Sequence, residues 1–158
     1  MSVKNIKVMP SIKIGDVLNY EGTSFFVKDI VQTLDEYEKV LSFDEWPYGE
    51  LPVTVLSSQS VKIPEKLLTF VSASSETPIA LVQRLSKQGA KHLYIDGGVT
   101  IQGFLANNLI NEMTITIIPV LLGSGRSLFG PLKSDIQLHH VGTQTFDGGF
   151  VQVKYRIG

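Results

Sequence analysis

The stretch HLYIDGGVTIQGFL at residues 92–105 decides the fold of this chain. A short apolar run reaches Gly97 and Gly98, and then opens a segment whose apolar residues recur at helical spacing. Glycine has no Cβ, so a ligand can approach the backbone closely, and the first N–H groups of the following helix carry partial positive charge. The pattern favours an anion site suited to the diphosphate of a dinucleotide. On local pattern alone, a tight turn without a ligand is the commoner structure.

Apolar segments recur along the whole chain, with helical periods between several of them. We predict strands over residues 6–14, 25–31, 51–56, 67–73, 92–95, 114–122, 136–145 and 150–156. We predict helices over residues 34–41, between a Thr77 cap with Pro78 at the first position and a stop at Gly89, and over residues 100–111. The fold class is therefore α/β, with a mixed, mainly parallel central sheet flanked by helices and an antiparallel C-terminal hairpin.

Composition excludes several classes of function. The 158 residues are 43% hydrophobic and 18% charged, which suits a single domain over residues 1–158. The net charge of −1 lacks the basic footprint of a nucleic-acid binder. No apolar run approaches the roughly 20 residues of a membrane span, and the N-terminus lacks the apolar core of a signal peptide, so we expect a cytoplasmic protein. The absence of cysteine excludes thiolate chemistry, and the three histidines show no metal-ligand spacing.

Two further polar elements follow predicted strands. Ser57, Ser58 and Gln59 come after the strand over residues 51–56, where hydroxyl and amide groups can hydrogen-bond a ribose or its phosphate. The Gly-rich loop at residues 119–129 could form an anion-binding nest around Arg126, but it lacks the Lys-Ser/Thr ending of a P-loop. Each element taken alone is more typical of a polar turn or a structural loop.

Taken in order, these elements resemble one known family. Residues 92–130, HLYIDGGVTIQGFLANNLINEMTITIIPVLLGSGRSLFG, and residues 36–60, EYEKVLSFDEWPYGELPVTVLSSQS, are similar to the RibD C-terminal domain. That domain is the reductase part of the bifunctional riboflavin-biosynthesis deaminase-reductase, and it has a dihydrofolate reductase-like fold. The resemblance implies NADPH as the hydride donor, a small-molecule substrate whose ribosyl group is reduced to a ribityl chain, and a homodimer.

The resemblance also implies which residues form the site. The cofactor diphosphate would meet the start of the helix after residue 95, at Gly97, Gly98, Val99 and Thr100. The adenosine ribose and its 2′-phosphate would meet Ser57, Ser58 and Gln59. Asp96 matches an acidic position close to the substrate and the nicotinamide, where a carboxylate can orient a hydroxyl or relay a proton. A strand-end Asp can equally cap the turn that follows it.

The first third of the chain departs from the family pattern. The family's first strand ends in Ser-Leu-Asp-Gly, whereas this chain has Ser-Ile-Lys-Ile at residues 11–14. The family motif Met-Gly-Arg-x-Thr-Tyr-Glu matches residues 32–38, where Thr33 and Leu34 replace the Gly and the Arg. Loss of the Arg removes a charge-assisted contact to phosphate. The resemblance therefore implies an NADPH-dependent reductase, and the departures leave open the alternative of a non-catalytic dinucleotide-binding or structural member of the family.

Three smaller points stay open at this level. A dihydrofolate reductase is a lesser alternative, because it needs a carboxylate on the early helix, for which Asp29 and Asp35 are candidates. Trp46 and Tyr48 either wall a pocket for a flat ring or pack as core. The acidic run at residues 35–38 indicates a solvated helix face.

Overall fold

The computed structural model describes residues 5–8, 29–125 and 127–158. Its elements in chain order are β1 (Asn5–Val8), β2 (Asp29–Thr33), α1 (Leu34–Leu41), β3 (Val53–Leu56), β4 (Val71–Ser74), α2 (Pro78–Lys87), β5 (His92–Ile95), α3 (Gly98–Ala106), β6 (Glu112–Ile117), β7 (Leu138–Phe146) and β8 (Phe150–Ile157). Most of the strand predicted over residues 6–14, the start of the one predicted over 25–31, and Arg126 lie outside the described residues.

The described strands form one sheet in the order β4-β3-β2-β5-β1-β6-β8-β7. The first six strands in that order run parallel to one another. Strand β8 pairs antiparallel with both β6 and β7. This arrangement confirms the predicted mixed, mainly parallel sheet with an antiparallel hairpin at its C-terminal edge.

Each face of the sheet carries its own apolar cluster, because successive residues of a strand point to opposite faces. On one face, Val31 and Ile95 pack against α2 and α3, whose Leu81 and Phe104 are fully buried. On the other face, residues of β2 and β3 pack against α1 through its buried Tyr37. Helices therefore cover both faces, as a parallel sheet requires.

The helix ends follow from local chemistry. The Thr77 Oγ1 accepts a hydrogen bond from the Ala80 N–H at 3.3 Å, and Gly89 has a φ of 93°, so the predicted cap and stop of α2 are confirmed. Helix α1 spans residues 34–41 as predicted. The bounds predicted for α3 are wrong at both ends, because it begins at Gly98 and ends before Asn108, whose φ of 54° cannot continue a helix.

The predicted strand over residues 114–122 is also wrong at its end. Strand β6 stops at Ile117, where its pairing with Val151 of β8 ends. Pro119 has no N–H to donate to a ladder, and the residues that follow are exposed, with Leu121 fully so. Residues 65–67, placed before β4, form a 3₁₀ turn.

Candidate functional site

The carboxyl ends of β2 and β5 lie side by side at the point where the chain connections diverge. Strand β2 leads through α1 to β3 on one side, and β5 leads through α3 to β6 on the other. In open α/β sheets this divergence leaves a crevice outside the strand ends in which ligands bind. We call the space between the N-termini of α1 and α3, at the ends of β2, β3 and β5, the cleft.

The N-terminus of α3 forms the open side of the cleft. No side chain caps this helix, and its first intrahelical bond runs from the Ile101 N–H to the Gly97 carbonyl at 2.9 Å. The N–H groups of Gly98, Val99 and Thr100 precede that bond and therefore have no partner within the helix. A Cβ built on Gly98 would meet no atom within 4 Å, and Val99 is 70% exposed. Open space beside free N–H donors fits a diphosphate group.

Gly97 and the Thr100 side chain face inward instead. Gly97 is buried with a φ of 85°, and a Cβ there would lie 2.8 Å from the Glu36 Cγ and 3.4 Å from the Thr33 Oγ1. The missing Cβ of Gly97 thus makes room for α1. Thr100 is 5% exposed and its Oγ1 has no hydrogen-bond partner, so only its backbone N–H can contribute to the cleft.

The N-terminus of α1 forms the closed side of the cleft. The Thr33 Oγ1 caps this helix by accepting a hydrogen bond from the Glu36 N–H at 3.4 Å. Asp35 and Glu36 both lie in its first turn. Two carboxylates beside the helix N-terminus already neutralise its partial positive charge, so this side does not fit a diphosphate. Glu36 is half-buried against Gly97, and it departs in this respect from the expected solvated face.

Asp96 lies at the end of β5, between these two helix N-termini. Its Oδ1 accepts a hydrogen bond from the Gly97 N–H at 2.8 Å, and its Oδ2 lies 3.3 Å from the Tyr48 Oη. Burial raises the pKa of the Asp96 carboxyl, and the charge of Glu36 raises it further, against the opposing hydrogen bonds from Gly97 and Tyr48. Asp96 therefore caps the turn. Because its pKa is raised, its carboxyl also retains its proton to a higher pH than an ordinary Asp carboxyl does.

Two buried side chains connect to Asp96 in a way that sequence reasoning did not predict. Tyr48 is 3% exposed, and its Oη lies 3.1 Å from the Oε1 of Gln32, which has no exposed surface. Burial, followed by the charge of Asp96, raises the pKa of Tyr48. The Tyr48 ring packs edge-on against Trp46, with ring centroids 5.0 Å apart. The aromatic loop thus packs as core, while one of its hydroxyl groups reaches the candidate site.

The predicted adenosine-side residues lie at the end of β3. The Ser57 N–H donates to the Ser74 carbonyl at 3.0 Å, and the Ser57 Oγ accepts from the Gln59 N–H at 2.9 Å. Ser58 and Gln59 are exposed. Because β2 separates β3 from β5, these residues lie two strand spacings, about 10 Å, from the end of β5. The structure places both predicted groups on one edge of the sheet without bringing them into contact.

A cation lies next to the adenosine-side group. The Arg84 Nε donates to the Glu76 Oε2 at 2.8 Å, and the Ser74 Oγ donates to the same oxygen at 2.7 Å. The hydrogen bond from Arg84 is the main cause that lowers the pKa of Glu76, with that from Ser74 next. Ser74 in turn binds the Ser57 N–H, so Arg84 is connected to the end of β3 through two residues.

Comparison with known families decides the kinship of the chain. The family model described as the RibD C-terminal domain matches residues 38–152. The chain belongs to the RibD C-terminal domain family. The resemblance inferred from residues 36–60 and 92–130 is therefore confirmed.

Relatives of this RibD C-terminal domain protein include characterised folds and uncharacterised chains. The uncharacterized protein YwjB of Bacillus subtilis is 31% identical over 150 residues, which are 89% of this chain and 83% of YwjB. A crystal structure from Shewanella sp. PV-4, named for riboflavin biosynthesis, is 31% identical with a TM-score of 0.83, and the match covers 98% of this chain and 99% of that one.

A more distant relative from Thermotoga maritima is named a diaminohydroxyphosphoribosylaminopyrimidine deaminase/5-amino-6-(5-phosphoribosylamino)uracil reductase. It is 11% identical with a TM-score of 0.66, and the match covers 98% of this chain and 56% of that one. At this identity the likeness shows the fold alone. Together these neighbours confirm the dihydrofolate reductase-like fold that the sequence predicts.

The remaining sequence-level candidates are the Gly-rich loop after β6 and the two early carboxylates. The loop after β6 is largely exposed and is tied to α3 by the Gln102 Nε2, which donates to the Ser127 carbonyl at 3.2 Å. Asp35 is exposed, and the Asp29 side chain lies outside the described residues, so the dihydrofolate reductase alternative stays a prediction. Over the described ranges, no group of three or more His, Asp or Glu side chains could hold a metal ion. No helix in the described part of the chain is long and apolar enough to cross a membrane.

Proposed function

We propose that this protein is an NADPH-dependent reductase that transfers hydride to a small heterocyclic or ribosyl substrate at the end of β5. The observation that supports this proposal most is the position of Asp96. Its part-buried carboxyl lies directly before the uncapped, open N-terminus of α3. Membership of the RibD C-terminal domain family supports a nicotinamide dinucleotide as cofactor. The single sheet that joins all described strands supports one domain.

The α3 side of the cleft would hold the cofactor. The N–H groups of Gly98, Val99 and Thr100 would donate to the diphosphate, and Gly98 would let it approach the backbone. The residues Ser57, Ser58 and Gln59 would bind the adenosine ribose about 10 Å away across β2, a separation that an extended dinucleotide can span. Gly97 would act indirectly, since its missing side chain lets α1 and α3 approach each other.

Asp96 would supply the proton that accompanies the reduction. Bound NADPH supplies a hydride to the carbon of a C=N or C=O group, and the nitrogen or oxygen of that group must then gain a proton. The raised pKa of Asp96 keeps its carboxyl protonated in a wider pH range, so that it can donate this proton and be left as a carboxylate. Solvent would then return the proton. General acid catalysis of this kind contributes about 10²- to 10⁴-fold to a rate.

The substrate class is supported by the relatives. The Thermotoga maritima protein carries a 5-amino-6-(5-phosphoribosylamino)uracil reductase in its name, which favours a ribosylaminopyrimidine as the first substrate to assay. YwjB is named an uncharacterized protein, so the substrate itself has to be found by assay.

One observation favours a second candidate, a member of the family that lacks catalysis. The first turn of α1 carries Asp35 and Glu36, so half of the cleft repels phosphate groups. A protein of this kind would bind the dinucleotide weakly, through the α3 side alone, or would use the fold for another purpose.

A titration with NADPH tests the proposal. We expect nicotinamide fluorescence to change with saturation, and we expect oxidation of bound NADPH when a ribosylaminopyrimidine is added. The Asp96→Asn variant should still bind NADPH but lose turnover. Binding without turnover on any pyrimidine or pterin substrate would favour the non-catalytic candidate, and absence of binding at millimolar NADPH would overturn the proposed cofactor.

We also propose that the protein is a homodimer that buries the apolar surface beside the C-terminal hairpin. Large apolar side chains are exposed there, namely Ile117, Ile118, Val120, Leu121, Leu122, Val141, Phe146 and Phe150. Patches of this kind mark association surfaces, and β7 is an edge strand that a second copy could extend. Light scattering should give twice the 17.4 kDa chain mass for the wild type and the monomer mass for Leu121→Glu. A monomeric wild type would overturn this proposal.

A further inference from the structure

The Tyr48 hydroxyl lies between two groups that both act as acceptors when Asp96 is ionised. Its Oη is 3.1 Å from the Gln32 Oε1 and 3.3 Å from the Asp96 Oδ2. A phenol has one proton, so it can donate to only one of these oxygens at a time. With the Gln32 Oε1 facing Tyr48, both short contacts are satisfied together only when Asp96 is protonated, because its Oδ2–H then donates to Tyr48 while Tyr48 donates to Gln32.

Ionisation of Asp96 requires a rearrangement in this chain of hydrogen bonds. Once the carboxyl loses its proton, the Tyr48 hydroxyl must turn and donate to the Asp96 Oδ2. The Gln32 Oε1 then loses its donor, while the Gln32 Nε2 is buried without a partner. Rotation of the Gln32 carboxamide by half a turn brings Nε2 toward the Tyr48 Oη, which now has a free lone pair. The same three residues therefore satisfy both protonation states, with the direction of both hydrogen bonds reversed.

We propose that Tyr48 is a positioning residue that couples proton loss at Asp96 to a turn of the Gln32 carboxamide. Other charged groups act on the same carboxyl, namely Glu36 and Lys39 of α1, and Tyr94 of β5 is affected by it in turn. The coupling goes beyond the proposed function, because it concerns only the hydrogen bonds that hold the Asp96 carboxyl in place.

Nuclear magnetic resonance on the cofactor-free protein tests the coupling directly. The ¹³C signal of the Asp96 carboxyl and the side-chain ¹⁵N–¹H signals of Gln32 would be followed through a pH titration. The Asp96→Asn and Gln32→Met variants assign these signals by their loss. In the wild type we expect the Gln32 signals to move with the same midpoint as the Asp96 carboxyl.

The Tyr48→Phe variant removes the link between the two groups. We expect the Asp96 midpoint to move to higher pH, because a hydrogen bond to a charged acceptor is worth roughly twice one to a neutral group and the carboxylate loses that donor. The Gln32 signals should no longer follow the Asp96 titration. Tyr37→Phe is the matched control, since Tyr37 is equally buried on the same face but its Oη bonds the Lys62 carbonyl, at 3.4 Å.

Each outcome decides the proposal. Gln32 signals that stay constant through the Asp96 titration of the wild type would overturn it, even if Tyr48→Phe did not fold. Gln32 signals that still follow Asp96 in Tyr48→Phe would overturn it as well. Co-titration in the wild type and in Tyr37→Phe, lost in Tyr48→Phe, would support it. Failure of NADPH to bind would overturn the proposed function and leave this result unchanged, so the two failures are distinguishable.

Discussion

The N-termini of α1 and α3 occupy equivalent positions in the fold but differ in their first-turn residues. Both helices follow neighbouring parallel strands and open on the same cleft. Helix α3 has no side-chain cap and no acidic residue in its first turn, and Gly98 leaves the space beside it open. Helix α1 is capped by Thr33 and carries two carboxylates in its first turn. The partial positive charge at the N-terminus of α3 is available to a ligand, whereas that of α1 is neutralised by its own carboxylates.

A strand–helix junction thus becomes an anion site only through the residues in the first turn of its helix. The sheet places both helix ends correctly for a ligand at a switch point. Glu36 then fills the space beside Gly97, and its charge acts on Asp96. Burial raises the pKa of the Asp96 carboxyl and the charge of Glu36 raises it further, whereas α3 carries no acidic residue in its first turn. The cleft is therefore asymmetric, and only Gly97 separates Asp96 from the uncapped N-terminus of α3.

The largest effect is expected from Asp96→Asn. If Asp96 donates the proton, kcat should fall by about 10²- to 10³-fold while the Kd for NADPH changes little, because the amide keeps the shape of the side chain. In the wild type, kcat should fall as the pH rises through the raised pKa of Asp96, since the acid must be protonated. That limb of the pH profile should vanish in the variant. An unchanged kcat would show that Asp96 is not the proton donor.

Gly97→Ala tests the contact between the two helix ends. The φ of 85° and ψ of 131° lie in a region that is nearly restricted to glycine, and the new Cβ would collide with Glu36. We expect a loss of about 2–3 kcal/mol in the free energy of unfolding, measured with urea. Gly98→Ala is the matched control, because it meets open space and should be neutral or slightly stabilising. Equal stability of the two variants would contradict the described packing.

Local chemistry explains which parts of this picture could be predicted from the sequence. The Thr77 cap, the Gly89 stop and the C-terminal hairpin depend on neighbouring residues, and all three are confirmed. The position of Asp96 at the end of a strand is predictable for the same reason. The end of β6 was misjudged, because an apolar run does not reveal where its partner strand stops pairing.

The contacts of Asp96 could not be predicted in this way. Tyr48 reaches Asp96 and Gln32 reaches Tyr48 only because β2 inserts next to β5, out of sequence order, and because the aromatic loop folds over that face. Glu36 belongs to an acidic run that is typical of a solvated face, and its approach to Gly97 likewise depends on strand order. A single sequence carries no local signal for such pairings.

Glu36→Gln should make the N-terminus of α1 more like that of α3, because it removes a charge from the first turn. Removal of the charge at constant shape should strengthen NADPH binding by about fivefold, that is, by about 1 kcal/mol. Glu38→Gln is the control, since Glu38 is exposed on the same helix outside the first turn. Isothermal titration at low ionic strength measures the difference. Equal affinities of the two variants would show that α1 does not repel the cofactor.

The smallest effect is expected at the adenosine end, from Arg84→Ala. The guanidinium is connected to the end of β3 through Glu76 and Ser74, so it lies near the place proposed for the 2′-phosphate. The Arg84 side chain is 37% exposed and already forms an ion pair with Glu76. Solvent screening therefore limits the expected effect of Arg84→Ala to about two- to fivefold weaker binding of NADPH. NADH lacks the phosphate, so its affinity should not change. Lys87→Ala, an exposed cation on the same helix, controls for general charge.

The Glu76→Gln variant separates the two ways in which this pair can act. If Glu76 holds Arg84 in place, its loss should weaken NADPH binding as Arg84→Ala does. If Glu76 instead competes with phosphate for the guanidinium, its loss should strengthen NADPH binding and leave NADH unchanged. Either shift places the 2′-phosphate beside β3 and β4, because only a cation within reach of that group can discriminate the two cofactors. Equal effects of Arg84→Ala on NADPH and NADH would instead place the phosphate elsewhere along the edge.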